Sequence, residues 1–291
     1  MVRVAAIDIG TNSTRLLVAD VSGGSARAVE KKLMTTRLGE GINAGALLPA
    51  AMERTLEAIG ACYEASLQLG AERVVAAATS AVRDAANQSA FLELVKQRFD
   101  LPVRVLSGPE EAALSYRGVL SGLPVDPRST VVVDVGGGST ELIWNGNGRP
   151  ECVSVKAGAV RMSGSGWSEQ LIAEVLKPAL DMLQGCRASC LAGVGGTVTT
   201  LAAVDLELAV YDPLLIHGYR LTAESVQRIY DMLKSMNINE RKRLPGLQPE
   251  RADIIAAGVA IVKAVLDGIG LDSLLVSECD ILHGLVLEKS I

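Results

Sequence analysis

Two stretches place a carboxylate where an apolar strand has no packing use for one. Ile7-Asp8-Ile9-Gly10-Thr11-Asn12-Ser13-Thr14 and Val133-Asp134-Val135-Gly136-Gly137-Gly138-Ser139-Thr140 share the order apolar, Asp, apolar, Gly, two residues, Ser, Thr. They lie 126 positions apart, from Asp8 to Asp134. An acid inside an apolar run is costly to bury without a partner. In both copies the chain then returns as another apolar strand, so each stretch reads as a hairpin. Glycine in the turn permits positive φ and lets a bulky anion reach the backbone. Successive amides can converge on a phosphate, and Ser and Thr hydroxyls add donors. The candidate anion ligands are therefore Gly10, Thr11, Asn12 and Ser13 in one turn, and Gly136, Gly137, Gly138, Ser139 and Thr140 in the other. Two such turns, one per half of the chain, would grip a phosphate chain between them.

Further acids and one loop extend the set. Asp8, Asp134 and Glu141 flank the turns and are hard oxygen donors of the kind that suits Mg²⁺ (or Mn²⁺). Glu111, in Leu106-Ser-Gly-Pro-Glu-Glu-Ala112, falls in the first turn of a helix, where it can orient or deprotonate water; the plainer reading of Glu110 and Glu111 is complementarity to the helix dipole. Gly195, Gly196 and Thr197 follow a strand and open a helix, which offers amides to an anion. A tight strand-to-helix turn explains them equally well. Arg83 lies between a strand and a helix and fits either a phosphate contact or a surface ion pair. The run Arg241-Lys242-Arg243 reads as solvated surface or as a contact for an acidic ligand.

Other chemistries fit poorly. There is no G-x-x-x-x-G-K-[ST], and Val198 stands where a dinucleotide fingerprint needs glycine. The two histidines, His217 and His283, have no nucleophile-elbow serine beside them. A net charge of −5 argues against a nucleic-acid binder and requires a local cationic patch for any polyanion. The five cysteines form no paired C-x-x-C and read as reduced thiols. No secretory leader or membrane-length apolar run is visible, so a cytoplasmic protein that does not engage membranes is expected.

These residues need elements to hold them. The pattern predicts strands over 4–9, 15–21, 26–33, 73–78 and 103–106, and helices over 49–69, from an Asn87 cap to 99, and from Pro109. The second half predicts strands at 131–135, 140–144, 152–155, 191–194 and 273–276, with helices at 168–183, after Gly196, and at 223–235, 251–266 and 281–288. The repeated order β-β-β-α-β-α-β-α, each time opening on an Asp-Gly hairpin, indicates an internal duplication.

This duplication resembles the actin, sugar-kinase and heat-shock ATPase superfamily. More narrowly, nearly the whole chain resembles the exopolyphosphatase / guanosine pentaphosphate phosphohydrolase family. The resemblance rests on AAIDIGTNSTRLLV from Ala5, RLGEGI from Arg37, ATSAVRDAAN from Ala78, LSGPEEA from Leu106, VVDVGGGSTEL from Val132, GAVRM from Gly158, GVGGTVTTLAA from Gly193 and RLPGLQPERADII from Arg243. It implies an α/β protein of two duplicated ribonuclease-H-like (actin-like ATPase) domains, each a mixed sheet covered by helices, with an interdomain active-site cleft. The expected domains are 1–117 and 118–291, with the last helix, about 280–291, returning to the first and a hinge near 116–127.

The resemblance further implies release of terminal phosphate from inorganic polyphosphate or guanosine pentaphosphate, with Mg²⁺ and a homodimer. Glu111 matches the family's catalytic base. Asp134, Gly136, Ser139 and Glu141 match its catalytic phosphate and metal turn, Asn12 and Ser13 its first phosphate turn, and Arg83 its phosphate arginine. The chain departs from the family twice. It lacks the C-terminal extension of long members, and Ile281-Leu282-His283-Gly284 stands where Leu-Arg-Glu-Gly is common. Polyphosphate and guanosine pentaphosphate remain equal candidates, as does the capacity to pass phosphate to ADP. A kinase of the same superfamily and a non-enzymatic polyphosphate or alarmone sensor are the competing readings.

Overall fold

The structure is a computed structural model that describes residues 1–146, 149–186 and 188–288. The chain divides into two compact units. One holds Met1–Ser121 and the segment from Asp280, the other Gly122–Cys279.

The first unit runs β1 (Val2–Ile9), β2 (Ser13–Ser22), β3 (Ser25–Thr35), α1 (Pro49–Gln68), β4 (Arg73–Ala78), α2 (Ser80–Arg83), α3 (Gln88–Phe99), β5 (Val103–Val105) and α4 (Gly108–Gly122). Its sheet has the order β3-β2-β1-β4-β5, with β1–β2 and β2–β3 antiparallel and β1–β4 and β4–β5 parallel. Strand alternation sorts the side chains into two layers. Ala5, Ile7, Ile9, Leu16 and Val18 pack with Met52, Leu56 and Ile59 of α1 and Phe91 and Val95 of α3. The opposite face, with Val4, Ala6, Leu17 and Ala19, packs on Leu114 of α4 and on Ile281, Leu282, Leu285 and Val286.

The second unit runs β6 (Thr130–Val135), β7 (Thr140–Gly146), β8 (Arg149–Val155), α5 (Ala159–Gly164), α6 (Glu169–Met182), β9 (Cys190–Val194), α7 (Gly196–Asp205), α8 (Pro213–Ile216), β10 (Arg220–Thr222), α9 (Ala223–Ser235), α10 (Ile238–Arg241), α11 (Ile255–Ile269) and β11 (Ser273–Val276). The order β10-β11-β9-β6-β7-β8 repeats the first sheet, strand for strand and direction for direction, and adds β10 at one edge. Val131, Val133, Val135, Leu142 and Trp144 pack with α6, α9 and α11, so Asp134 and Glu141 lie on the other face.

The last helix, α12 (Ile281–Leu287), is too short to be stable alone. Its four buried apolar side chains contribute roughly 1.5–3 kcal/mol each before conformational costs. Gly284 and Gly118 allow close backbone approach, since a Cβ on either would collide with the Leu114 or Asp280 backbone.

The elements differ from expectation in places. Arg83 ends the one-turn helix α2, which is too short to show periodicity. Asn87 precedes α3 without a side-chain cap: its amide oxygen instead accepts from the Leu47 N–H at 2.9 Å, and its NH₂ donates to the Leu47 carbonyl at 3.0 Å. Arg241 is not solvated surface; its guanidinium donates to the Leu233 carbonyl at 2.6 and 2.9 Å. Among the described residues no helix is long and apolar enough to cross a membrane.

Candidate functional site

The two hairpins close alike. The Gly10 N–H donates to the Ser13 carbonyl, and the Gly136 N–H to the Ser139 carbonyl, each at 3.0 Å. Gly10 and Gly136 serve by their size, not by a special conformation. Contrary to expectation, Gly10, Gly136, Gly137 and Gly138 all have ordinary φ. A Cβ on Gly10 or Gly136 would stand 2.9 or 3.1 Å from that same carbonyl oxygen and push the turn open.

The turn carbonyls point back into the protein. In the second unit, Gly136 O accepts from Ala159 N–H, Gly137 O from Val160 and Arg161 N–H, and Gly138 O from Arg161 Nε at 2.7 Å. A planar trans peptide sets each carbonyl opposite the next residue's N–H. The amides of Gly137, Gly138 and Ser139 therefore face away from α5, forming a concavity suited to an anion. In the first unit, Thr11 O accepts from Gly39 N–H and Asn12 O from Thr36 and Arg37 N–H, which turns the Asn12 and Ser13 amides outward in the same way. Ser139 Oγ is buried and has no hydrogen-bond partner among the described residues, as expected of a donor kept for a ligand. Thr140 is less available, because its hydroxyl donates to the Ala157 carbonyl at 2.5 Å.

The acids beside the two turns differ. Asp134 and Glu141 are direct cross-strand partners in the β6–β7 register. Such a pair holds its Cβ atoms within ~4.5–5.5 Å of each other, and like charges there destabilise the fold unless a cation offsets them. Glu141 is 1% exposed, and its Oε1 accepts from Ser154 Oγ at 2.6 Å. Among the described residues no three His, Cys, Asp or Glu gather around one point. Two carboxylates are nevertheless enough for Mg²⁺, which keeps waters and substrate oxygens in its shell. The donor set fits that ion.

The register partner of Asp8 is Arg15, not an acid. Arg15 Nη2 donates to Asp8 Oδ2 at 2.6 Å, and Arg15 Nη1 donates to Asp280 Oδ2. Burial pushes the Asp8 carboxyl upward, opposed by Arg15. Burial also pushes Asp280 upward, but Arg15 and His283 outweigh it and hold that carboxyl below its ordinary range. Asp8 thus has a built-in cation where Asp134 has a second acid.

The adjacent acids of α4 separate by role. Ser107 and Glu110 form a capping box: Glu110 Oε2 accepts from the Ser107 N–H at 2.9 Å and the Ser107 hydroxyl at 2.7 Å. Hydrogen bonds from Arg104 and Ser107 lower the Glu110 carboxyl to about 2. Glu111 is nine-tenths buried, and its Oε2 accepts from Arg83 Nη1 at 2.8 Å. That same Nη1 also donates to the Leu106 carbonyl at 2.8 Å. The structure therefore places Arg83 on Glu111.

At the α7 N-terminus, Gly195 has φ +94°, which only glycine adopts easily. A Cβ there would lie 2.6 Å from the Val135 carbonyl oxygen and 3.1 Å from Asp134 Oδ1, so this turn abuts the second hairpin. Thr197 faces Gly258 of α11. Gly196 lies beneath the buried guanidinium of Arg251. Three residues of this arrangement were not singled out from the sequence: Arg251, Arg161 and Ser154. The first two lie inside the quoted stretches RLPGLQPERADII and GAVRM.

A duplicated β-β-β-α-β unit, with a glycine hairpin after the first strand of each copy, defines a two-domain actin-like ATPase fold. Residues 17–290 match the Ppx/GppA phosphatase family, and the chain belongs to it. It is 36% identical over 314 residues to exopolyphosphatase 2 of Mycobacterium tuberculosis, covering 99% of this chain and 98% of that protein. The solved structure of the Aquifex aeolicus PPX-GPPA enzyme superposes with a TM-score of 0.82 at 30% identity, over 99% of each chain. An exopolyphosphatase-like protein superposes with a TM-score of 0.90 at 29% identity, over 99% of this chain and 98% of that one.

Proposed function

We propose that this chain is a phosphohydrolase releasing the terminal phosphate of inorganic polyphosphate or guanosine pentaphosphate. The supporting observation is the second hairpin: outward amides at Gly137, Gly138 and Ser139, the unpartnered Ser139 hydroxyl, and the paired acids Asp134 and Glu141. The identity to an exopolyphosphatase along the whole chain points the same way.

In the reaction, water attacks the terminal phosphorus in line with the bridging oxygen. Glu111 takes a proton from that water as the new O–P bond forms. The P–O bond to the bridging oxygen breaks, and that oxygen leaves on the shortened chain. The turn amides and Ser139 hydroxyl hold the phosphoryl oxygens as charge develops. Arg83 orients Glu111 through the 2.8 Å contact. Gly195, Gly196, Thr197 and Arg251 extend the anion site at the α7 N-terminus, while Gly10, Thr11, Asn12 and Ser13 hold a second stretch of phosphate. Asp134 and Glu141 would hold Mg²⁺ (or Mn²⁺), which would offset negative charge on the phosphoryl oxygens. Asp8, already neutralised by Arg15, is assigned to the first turn's framework. The five free thiols fit a reducing compartment, and a cytoplasmic homodimer is proposed on the family resemblance.

The test follows terminally labelled polyphosphates of several lengths, guanosine pentaphosphate and ATP, with and without Mg²⁺. Label released as free phosphate without an acceptor supports the hydrolase. Label that moves only onto ADP or another acceptor, or tight binding without release, overturns it. Glu111→Gln is expected to lower turnover by ~10²–10⁴-fold with little change in melting temperature; full turnover would remove Glu111 as the base.

A further inference from the structure

We propose that Ser154 is a positioning residue that sets the Glu141 carboxylate for cation binding. This inference rests on the reading of Asp134 and Glu141 as the cation-holding pair.

Asp134, Glu141 and Ser154 are register partners across β6, β7 and β8, so the three side chains stand in one row on one face of the sheet. Ser154 Oγ donates to Glu141 Oε1 at 2.6 Å. A glutamate side chain has three rotatable torsions, and fixing one oxygen restricts the settings its carboxylate can take in the row it shares with Asp134. Partners that orient metal-binding carboxylates are worth ~10–100-fold in metal affinity when removed.

The duplication supplies an internal control. The matching row in the first unit is Asp8, Arg15 and Leu33. There Arg15 neutralises the aspartate from within the chain, and the third strand supplies an apolar residue, 43% exposed. A hydroxyl occurs at the third position only in the row where the second position is an acid. Ser154 is itself exposed, on the edge strand β8, so its hydroxyl has little to contribute to the core.

The experiment measures binding of Mn²⁺ alone, by loss of the free-ion resonance signal, to the wild-type chain and to Ser154→Ala, Ser154→Thr and Glu141→Gln. Ser154→Ala is expected to bind about 10-fold more weakly or worse, and to raise by a similar factor the Mn²⁺ concentration that half-saturates phosphate release. Turnover at saturating Mn²⁺ should change much less. Ser154→Thr, which keeps the hydroxyl, should remain near wild type. Mn²⁺ binding unchanged in Ser154→Ala but lost in Glu141→Gln would overturn the role of Ser154 and leave the cation pair standing. Unchanged binding in Glu141→Gln would overturn the cation pair, and the role of Ser154 with it.

Discussion

The two Asp-Gly hairpins share a sequence pattern, a turn hydrogen bond and a strand register, yet they place opposite charges across from their aspartates. In the first, Arg15 sits across from Asp8 and is held from behind by Asp280 at the start of α12. In the second, Glu141, a second acid, sits across from Asp134. The first hairpin is electrostatically closed and can act as framework. The second sets two acids side by side at the turn for which anion binding is proposed, which is the pairing a divalent ion suits. The two copies of one duplicated element differ in the charge of the residue at a single register position.

Glu141→Arg would give the second hairpin the first one's pairing. Folding should survive, because an Arg–Asp pair is already accommodated at the equivalent place. Phosphate release should fall on the order of 10³-fold, read by a phosphate assay alongside a melting curve. Retained activity would remove the distinction between the hairpins. Arg15→Met makes the converse change and leaves Asp8 and Asp280 buried near each other without the cation they share. Breaking such a pair costs about 3–5 kcal/mol, measured by urea unfolding. A loss below 1 kcal/mol would mean that the first hairpin is not closed by Arg15.

A smaller effect separates the adjacent acids of α4. Glu110 is depressed from 4.5 to about 2 in the folded state, so its contribution is present above pH 4.5 and is lost as pH falls toward about 2. Its side chain is 43% exposed, which keeps the effect modest. Glu110→Gln should melt slightly below wild type at neutral pH, and the gap should close in acid. The same substitution should leave turnover largely intact, in contrast to Glu111→Gln.

Much of this was legible in the sequence for a local reason. Residues within eight positions of each aspartate determine the hairpin, its register and its turn, so IDIGTNST and VDVGGGST disclosed the duplication directly. The structure corrects what depends on distant partners. Positive φ was expected of the turn glycines, but the carbonyls of Ser13 and Ser139 impose a size limit instead. Arg83 reads as a loop residue because a one-turn helix leaves no periodic trace, and its contact with Glu111 spans 28 positions. Asp280 meets Arg15 across 265 positions, which no local pattern discloses. His283 lies in the segment that departs from the family pattern, and there it caps α12 together with the preceding Asp280, which supplies Arg15 with its second carboxylate.

The most direct test of the difference between the hairpins is phosphate release from polyphosphate after exhaustive chelation, followed by titration with Mg²⁺. Release should fall to background in chelator and return with added Mg²⁺. Glu141→Gln would then require much more Mg²⁺ for the same rate. Full release in the presence of excess chelator would contradict the need for the cation.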